Sequence, residues 1–155
     1  MLIYLFALLI GIVAGLRALT PLAAVSWAAH TGWLHLENTW LAFLGATITP
    51  YIVTVLALGE LFNDKLPKTA SRKTPMMFGA RIVIGALCGA ALGAASQVMI
   101  GGLIAGALGA VIGTLGGAEL RTRLASAMGG KDLPAALIED VVAIGAAVMI
   151  VTRSA

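Results

Sequence analysis

Between Arg81 and Glu119 the chain carries no charged residue. A helix crosses a bilayer with roughly 20 apolar residues, so this run predicts a hairpin of two spans that turns near Gly101-Gly102. Gly85, Gly89 and Gly93 recur every fourth position on the first helix of the hairpin, and Gly102, Gly106, Gly109, Gly113 and Gly117 follow at steps of four or three on the second. Each set draws one bare stripe along its helix. Lipid tails are as apolar as leucine, so membrane helices gain by close backbone approach along small residues. The stripes are therefore expected to be packing faces, a glycine zipper within the subunit or between copies in a homo-oligomer.

The same alternation of apolar runs and polar breaks sets out the rest of the chain. Leu2 to Leu19 is apolar apart from Tyr4 and Arg17 and predicts a first span of roughly 27 Å at 1.5 Å per residue. Its only charge follows the apolar run, unlike a signal peptide, whose charge precedes it; the segment is expected to stay with the mature chain. Thr20-Pro21 reads as a helix start, for a second helix reaching about Trp33. Trp33 and Trp40 bracket a polar stretch, as aromatic residues do at the headgroup level. Trp40 to Phe62 forms a third predicted span with Thr47, Thr49, Pro50, Tyr51 and Thr54 near its middle, where proline should kink or break the helix. Thr74-Pro75 opens a fourth, the glycine hairpin follows, and a last span runs from Pro134 to near Thr152.

The expected fold is thus all-α, a polytopic membrane helical bundle of about six segments, or five if the first two form one kinked span. Residues 1–155 read as a single transmembrane domain. A short similarity between residues 17–66 and 81–125 suggests a parallel internal repeat, since both begin at an arginine and end past Gly-Glu-Leu or Ala-Glu-Leu, and such repeats occur in transporters.

Composition narrows the class. The chain is 60% hydrophobic and only 11% charged, against roughly 25% charged in soluble domains, and its mean hydropathy is +1.01. The lone Cys88 excludes a disulfide framework and a thiolate metal cluster. The net charge of +3 lies in short loops and points to orientation rather than nucleic acid. If Arg17 ends the first span at the cytoplasmic face, then Lys65, Lys68, Arg72, Lys73, Arg81, Arg121, Arg123 and Lys131 share that face and Arg153 alone falls outside it, as the positive-inside rule expects. No nucleophile beside a histidine, phosphate-binding loop or metal-ligand set occurs, so no enzyme activity, cofactor or metal is expected.

The candidate chemistry lies in polar residues within the apolar runs, which usually face the bundle interior, a partner or water. Arg17 with Glu60, and Arg81 with Glu119, are expected to pair, either as a vestibule for an ion or small anionic solute or as structural ties. Glu139 and Asp140 start the last helix, where carboxylates suit the positive end of the helix dipole or serve a proton relay, and Asp140 is a further candidate for an ion pathway. Thr47, Thr49, Pro50 and Tyr51 mark a helix break of the kind at which transporters place substrate sites. Two functions follow as expectations: a small transporter or channel, or a structural or lipid-interacting membrane protein. The expected partners are membrane lipids, further copies of the chain, and a small solute or ion.

Ala14-Gly15-Leu16-Arg17 followed by Pro21, then Glu60 and Asp64-Lys65-Leu66-Pro67, resembles a family of small bacterial membrane proteins known only as a domain of unknown function. The resemblance covers most of the chain but not the glycine hairpin. It implies a compact helical bundle in the bacterial inner membrane and no activity to carry over.

Overall fold

Hydrocarbon offers backbone N–H and C=O groups no partner, so the apolar runs satisfy them internally as helices. A computed structural model describes residues 1–63, 75–130 and 132–154. In chain order these form α1 (Leu2–Leu16), α2 (Leu19–His30), a 3-10 segment (Trp40–Gly45), α3 (Thr49–Asn63), α4 (Pro75–Ala95), α5 (Met99–Ala127) and α6 (Asp132–Ser154). Among the described residues three stretches are long and apolar enough to cross a membrane: Met76–Ala95, Met99–Ala127 and Pro134–Ser154. Leu2–Leu16 and Thr49–Phe62 are apolar but shorter. The motif residues Asp64 to Pro67 and the basic positions Lys65, Lys68, Arg72, Lys73 and Lys131 lie outside the described residues.

The hairpin turn falls earlier than Gly101-Gly102. It occupies Ser96 to Val98, with Gln97 at φ 62 and the Val98 N–H donating to Gly93 O at 2.8 Å. Gly102 is needed inside α5 instead, because a Cβ there would stand 2.9 Å from the Gly93 Cα. A left-handed backbone costs a side-chain-bearing residue roughly 1–2 kcal/mol, partly offset by the greater chain entropy of glycine. Gln97→Gly is therefore expected to raise stability by up to about 1 kcal/mol, read as a higher midpoint of thermal unfolding in detergent.

α1, α4 and α5 pack against one another. A Cβ on Gly85 would stand 2.8 Å from Gly106 O, and one on Gly89 2.8 Å from the Gly106 Cα, so α4 and α5 touch backbone to backbone along antiparallel axes. α1 packs on α5 beside α4 and runs parallel to α5. Tyr4 stands against Gly101, Gly11 against Gly106, and Gly15 against Gly113 and Thr114. The glycines of α1 thus belong to the same contact as the two stripes of the hairpin.

α2, α3 and α6 lie around these three: α2 packs on α3 and α6, and α6 packs on α1 and α5 as well. α2 meets α3 through Trp27, whose Nε1 donates to Thr54 Oγ1 at 2.8 Å and whose ring stands edge-on to Tyr51 at 5.1 Å. The expected third span is interrupted: the 3-10 segment ends at Gly45, Ala46 is extended, and a new helix begins at Thr49. Proline tolerates the first turn of a helix, where its missing N–H has no partner to lose. Pro50 therefore starts α3 rather than bending the middle of a longer helix. The stretch between α2 and α3 folds back over this end of the bundle. Leu34, Leu36, Leu41 and Leu44 are buried while Trp33 and Trp40 stay exposed, and Trp40 Nε1 donates to Met99 Sδ at 3.2 Å.

α2 also begins differently from the sequence expectation. Its first residue is Leu19, the preceding Ala18 supplies no side-chain cap, and the helix ends at His30 rather than near Trp33. Thr20 sits inside the first turn, so its hydroxyl is not the cap.

Candidate functional site

The break between α1 and α2 leaves unpaired backbone groups at both helix ends. Two charged side chains from distant helices occupy them. Glu60, near the end of α3, accepts from the Ala18 N–H at 2.9 Å and the Leu19 N–H at 2.8 Å, so a carboxylate sits on the positive end of the α2 dipole. Arg81, in the second turn of α4, donates from Nη1 to Gly15 O at 2.9 Å, which places a cation at the negative end of α1. Glu60 and Arg81 also form an ion pair at 3.8 Å.

Two further pairs lie at the same end of the bundle. Arg17 donates from Nε to Asp140 Oδ1 at 2.6 Å and pairs with the same oxygen through Nη2. Arg121 of α5 stands 3.7 Å from Glu139 of α6. Arg17 is 0% exposed, Arg81 1%, Asp140 6% and Glu139 8%. Isolated charges at this depth would be very costly, so the matching of three guanidiniums to three carboxylates is what permits their burial.

The pairs share a further regularity. Every arginine comes from the end of α1, from α4 or from α5, which pack closely with one another. Every carboxylate comes from α3 or α6. Each of these three pairs therefore ties α3 or α6 to the close-packed group of α1, α4 and α5.

The pairing differs from that read in the sequence. Glu60 serves Arg81 and the start of α2, and the Arg17 side chain turns to Asp140 instead. Glu119 does not meet Arg81. It points outward and pairs with Arg123 one turn along its own helix at 2.9 Å, an exposed contact of small energetic weight. Physically, α5 buries its glycine face, and Glu119 lies off that face. Glu139 and Asp140 do more than complement their helix dipole, since both point at arginines from the end of α1 and from α5.

The threonine and proline group stands apart. Thr49 and Pro50 begin α3 while Glu60 lies near its end, a separation of roughly 16 Å at 1.5 Å per residue. The broken backbone there is mended locally, by Thr54 Oγ1 donating to Pro50 O at 2.6 Å and Thr49 Oγ1 to Phe43 O at 2.7 Å. Thr47 and Tyr51 are exposed on the outside of the bundle. Thr47, Thr49, Pro50 and Tyr51 are thus not brought to the charged cluster. Among the described residues no group of three or more His, Cys, Asp or Glu is placed to hold a metal ion.

Arg121 is the member of the cluster that the sequence reading did not place in a pathway. A signal for Arg121 was available. It continues the Gly109, Gly113, Gly117 stripe by one more step of four, as Arg81 precedes Gly85, Gly89 and Gly93 by four. A charge in register with a packing stripe is a charge that faces inward.

A bundle of apolar helices, three of them of spanning length, with arginines and carboxylates paired inside it, is an integral helical membrane protein. The chain belongs to the family described as domain of unknown function DUF4126, whose model matches residues 4–153. No curated protein and no solved structure matches it.

Proposed function

We propose that the protein is a small transporter for an ion or small solute, with anionic solutes suited to its buried arginines, and that the three arginine–carboxylate pairs close one end of the path. The observation behind this reading is that Arg17, Arg81 and Arg121, from the close-packed α1, α4 and α5, each pair with a carboxylate of α3 or α6. Rocking of one helical body against another around a central site is a common route to alternating access. Pairs confined to one end would latch that end and leave the other free to part. On this reading the cluster faces the cytoplasm of a bacterial inner membrane, where basic loops are retained.

The test is flux of halide, phosphate and small organic anions into proteoliposomes. Uptake is expected for at least one of them with the unaltered protein. The conservative variant Asp140→Asn, which keeps the side-chain volume but removes the partner charge of Arg17, is expected to change the rate at least tenfold while the protein stays folded. A folded protein that passes none of these solutes favours the second reading, a structural or lipid-interacting role. The apolar lining of two cavities beside α2, one against α6 and one against α3 and α6, supports that alternative.

A further inference from the structure

α3 packs on α2 and on the 3-10 segment, and its outer side is apolar and open: Ile48, Ile52, Val55, Leu58 and Phe62 are exposed along it. In a membrane bundle such a face meets hydrocarbon. Both of its ends are bounded by groups that hydrocarbon does not take. Ala46, Thr47 and Ile48 enter the helix as exposed, non-helical backbone, and irregular backbone open to lipid does not occur within the hydrocarbon region. Past the other end the sequence places Asp64 and Lys65, then Lys68, Arg72 and Lys73, and charges inside the membrane are costly. From Ile48 to Phe62 the face is therefore only about 21 Å high at 1.5 Å per residue.

α5 sets a different height. It carries no charge from Met99 until Glu119, about 28 Å on the same measure, close to the roughly 30 Å of an ordinary hydrocarbon core. The charged cluster puts the two helices on one scale. Glu60 of α3 holds the N–H groups of Ala18 and Leu19, just past Gly15, which lies against Gly113 and Thr114 of α5. Measured from that level, Ile48 and Ile104 stand at similar distances, roughly 15–18 Å. Ile104 is well inside the uncharged run of α5, whereas Ile48 is the limit of the α3 face.

A spanning segment shorter than the bilayer is accommodated by thinning of the lipid around it. We infer that the outer face of α3 binds a locally thinned bilayer, roughly 7 Å shorter in hydrocarbon than beside α5, with headgroups drawn inward to the level of residues 46–48. The lipids that fit this face have short acyl chains, which match its height without being compressed. This assignment does not depend on the transport reading.

The experiment uses the full chain with Cys88→Ala and one introduced thiol, Ile48→Cys, Val55→Cys or Ile104→Cys, all at exposed positions, each carrying a nitroxide in vesicles of dioleoyl phosphatidylcholine. EPR power saturation compares oxygen, which concentrates in hydrocarbon, with a neutral nickel chelate, which stays among water and headgroups. Nickel accessibility at Ile48 is expected to exceed that at Ile104 several-fold, while Val55 is accessible to oxygen. Circular dichroism and gel filtration confirm that each labelled protein is folded. Equally low nickel accessibility at Ile48 and Ile104 overturns the thinning, since α3 would then lie in lipid of full thickness. Shielding of Val55 from both reagents overturns it as well, because a second copy of the chain would cover the face. From an equal mixture of dimyristoleoyl and dierucoyl phosphatidylcholine the unaltered protein is expected to retain several-fold more of the shorter lipid through detergent purification, read by mass spectrometry. Even retention overturns the preference for short chains.

Discussion

Glu60→Gln is expected to lower stability by roughly 1–3 kcal/mol, the cost of leaving a buried donor without its acceptor. The amide keeps one acceptor oxygen, so one of the Ala18 and Leu19 N–H groups loses its bond, and the ion pair of Glu60 with Arg81 is lost as well. Removing both charges of a pair is often nearly neutral, but Arg81 and Glu60 are not only a pair. Each also holds a backbone group at the α1–α2 break, Gly15 O for Arg81 and the two N–H groups for Glu60. The double variant Arg81→Met, Glu60→Gln should therefore recover little. Arg17→Met with Asp140→Asn should recover a larger share of its single-variant losses, because their bond is side chain to side chain. Chemical unfolding in mixed micelles measures both cycles. Equal recovery in the two would mean that the backbone contacts of Glu60 and Arg81 carry no weight.

The second large effect is at Gly106, which faces backbone on two sides. A Cβ there would stand 3.0 Å from both the Gly85 carbonyl carbon and the Gly89 Cα, with Gly85 O closer still, while Gly11 of α1 presses on its own carbonyl. Overpacking costs typically 1–3 kcal/mol even where side chains can move aside, and backbone cannot. Gly106→Ala is expected to cost at least about 3 kcal/mol or to prevent assembly of α1 and α4 on α5. Gly116 and Gly145 have nothing within 4 Å of an added Cβ, so alanine there should be neutral or add up to about 1 kcal/mol through helix propensity. A Gly106→Ala protein as stable as Gly116→Ala would mean that α4 and α5 can separate without loss, and the close approach would have no energetic role.

The apolar runs determined by themselves that the chain is helical and membrane-embedded, because hydrocarbon permits little else and periodicity records which face of a helix is bare. Arg17, Glu60, Arg81 and Asp140 were legible as unusual for the same reason: a charge inside an apolar run is costly wherever it falls. Their partners were not legible. Sequence proximity to a hairpin suggested Arg17 with Glu60 and Arg81 with Glu119, but pairing depends on which helices become neighbours and on side-chain direction, and neither is written in a single helix. The packing of α1 beside α4 on α5 brought Gly11 and Gly15 into the glycine contact and carried Arg17 toward α6 rather than α3. Likewise Thr20 looked like a helix cap because local rules place threonine before proline, whereas the cap came from Glu60, 41 residues away from Leu19. Local chemistry thus fixed the elements and their solvent; only the packing of the helices against one another decided which charges meet, because a buried charge takes whichever partner the folded backbone brings within reach.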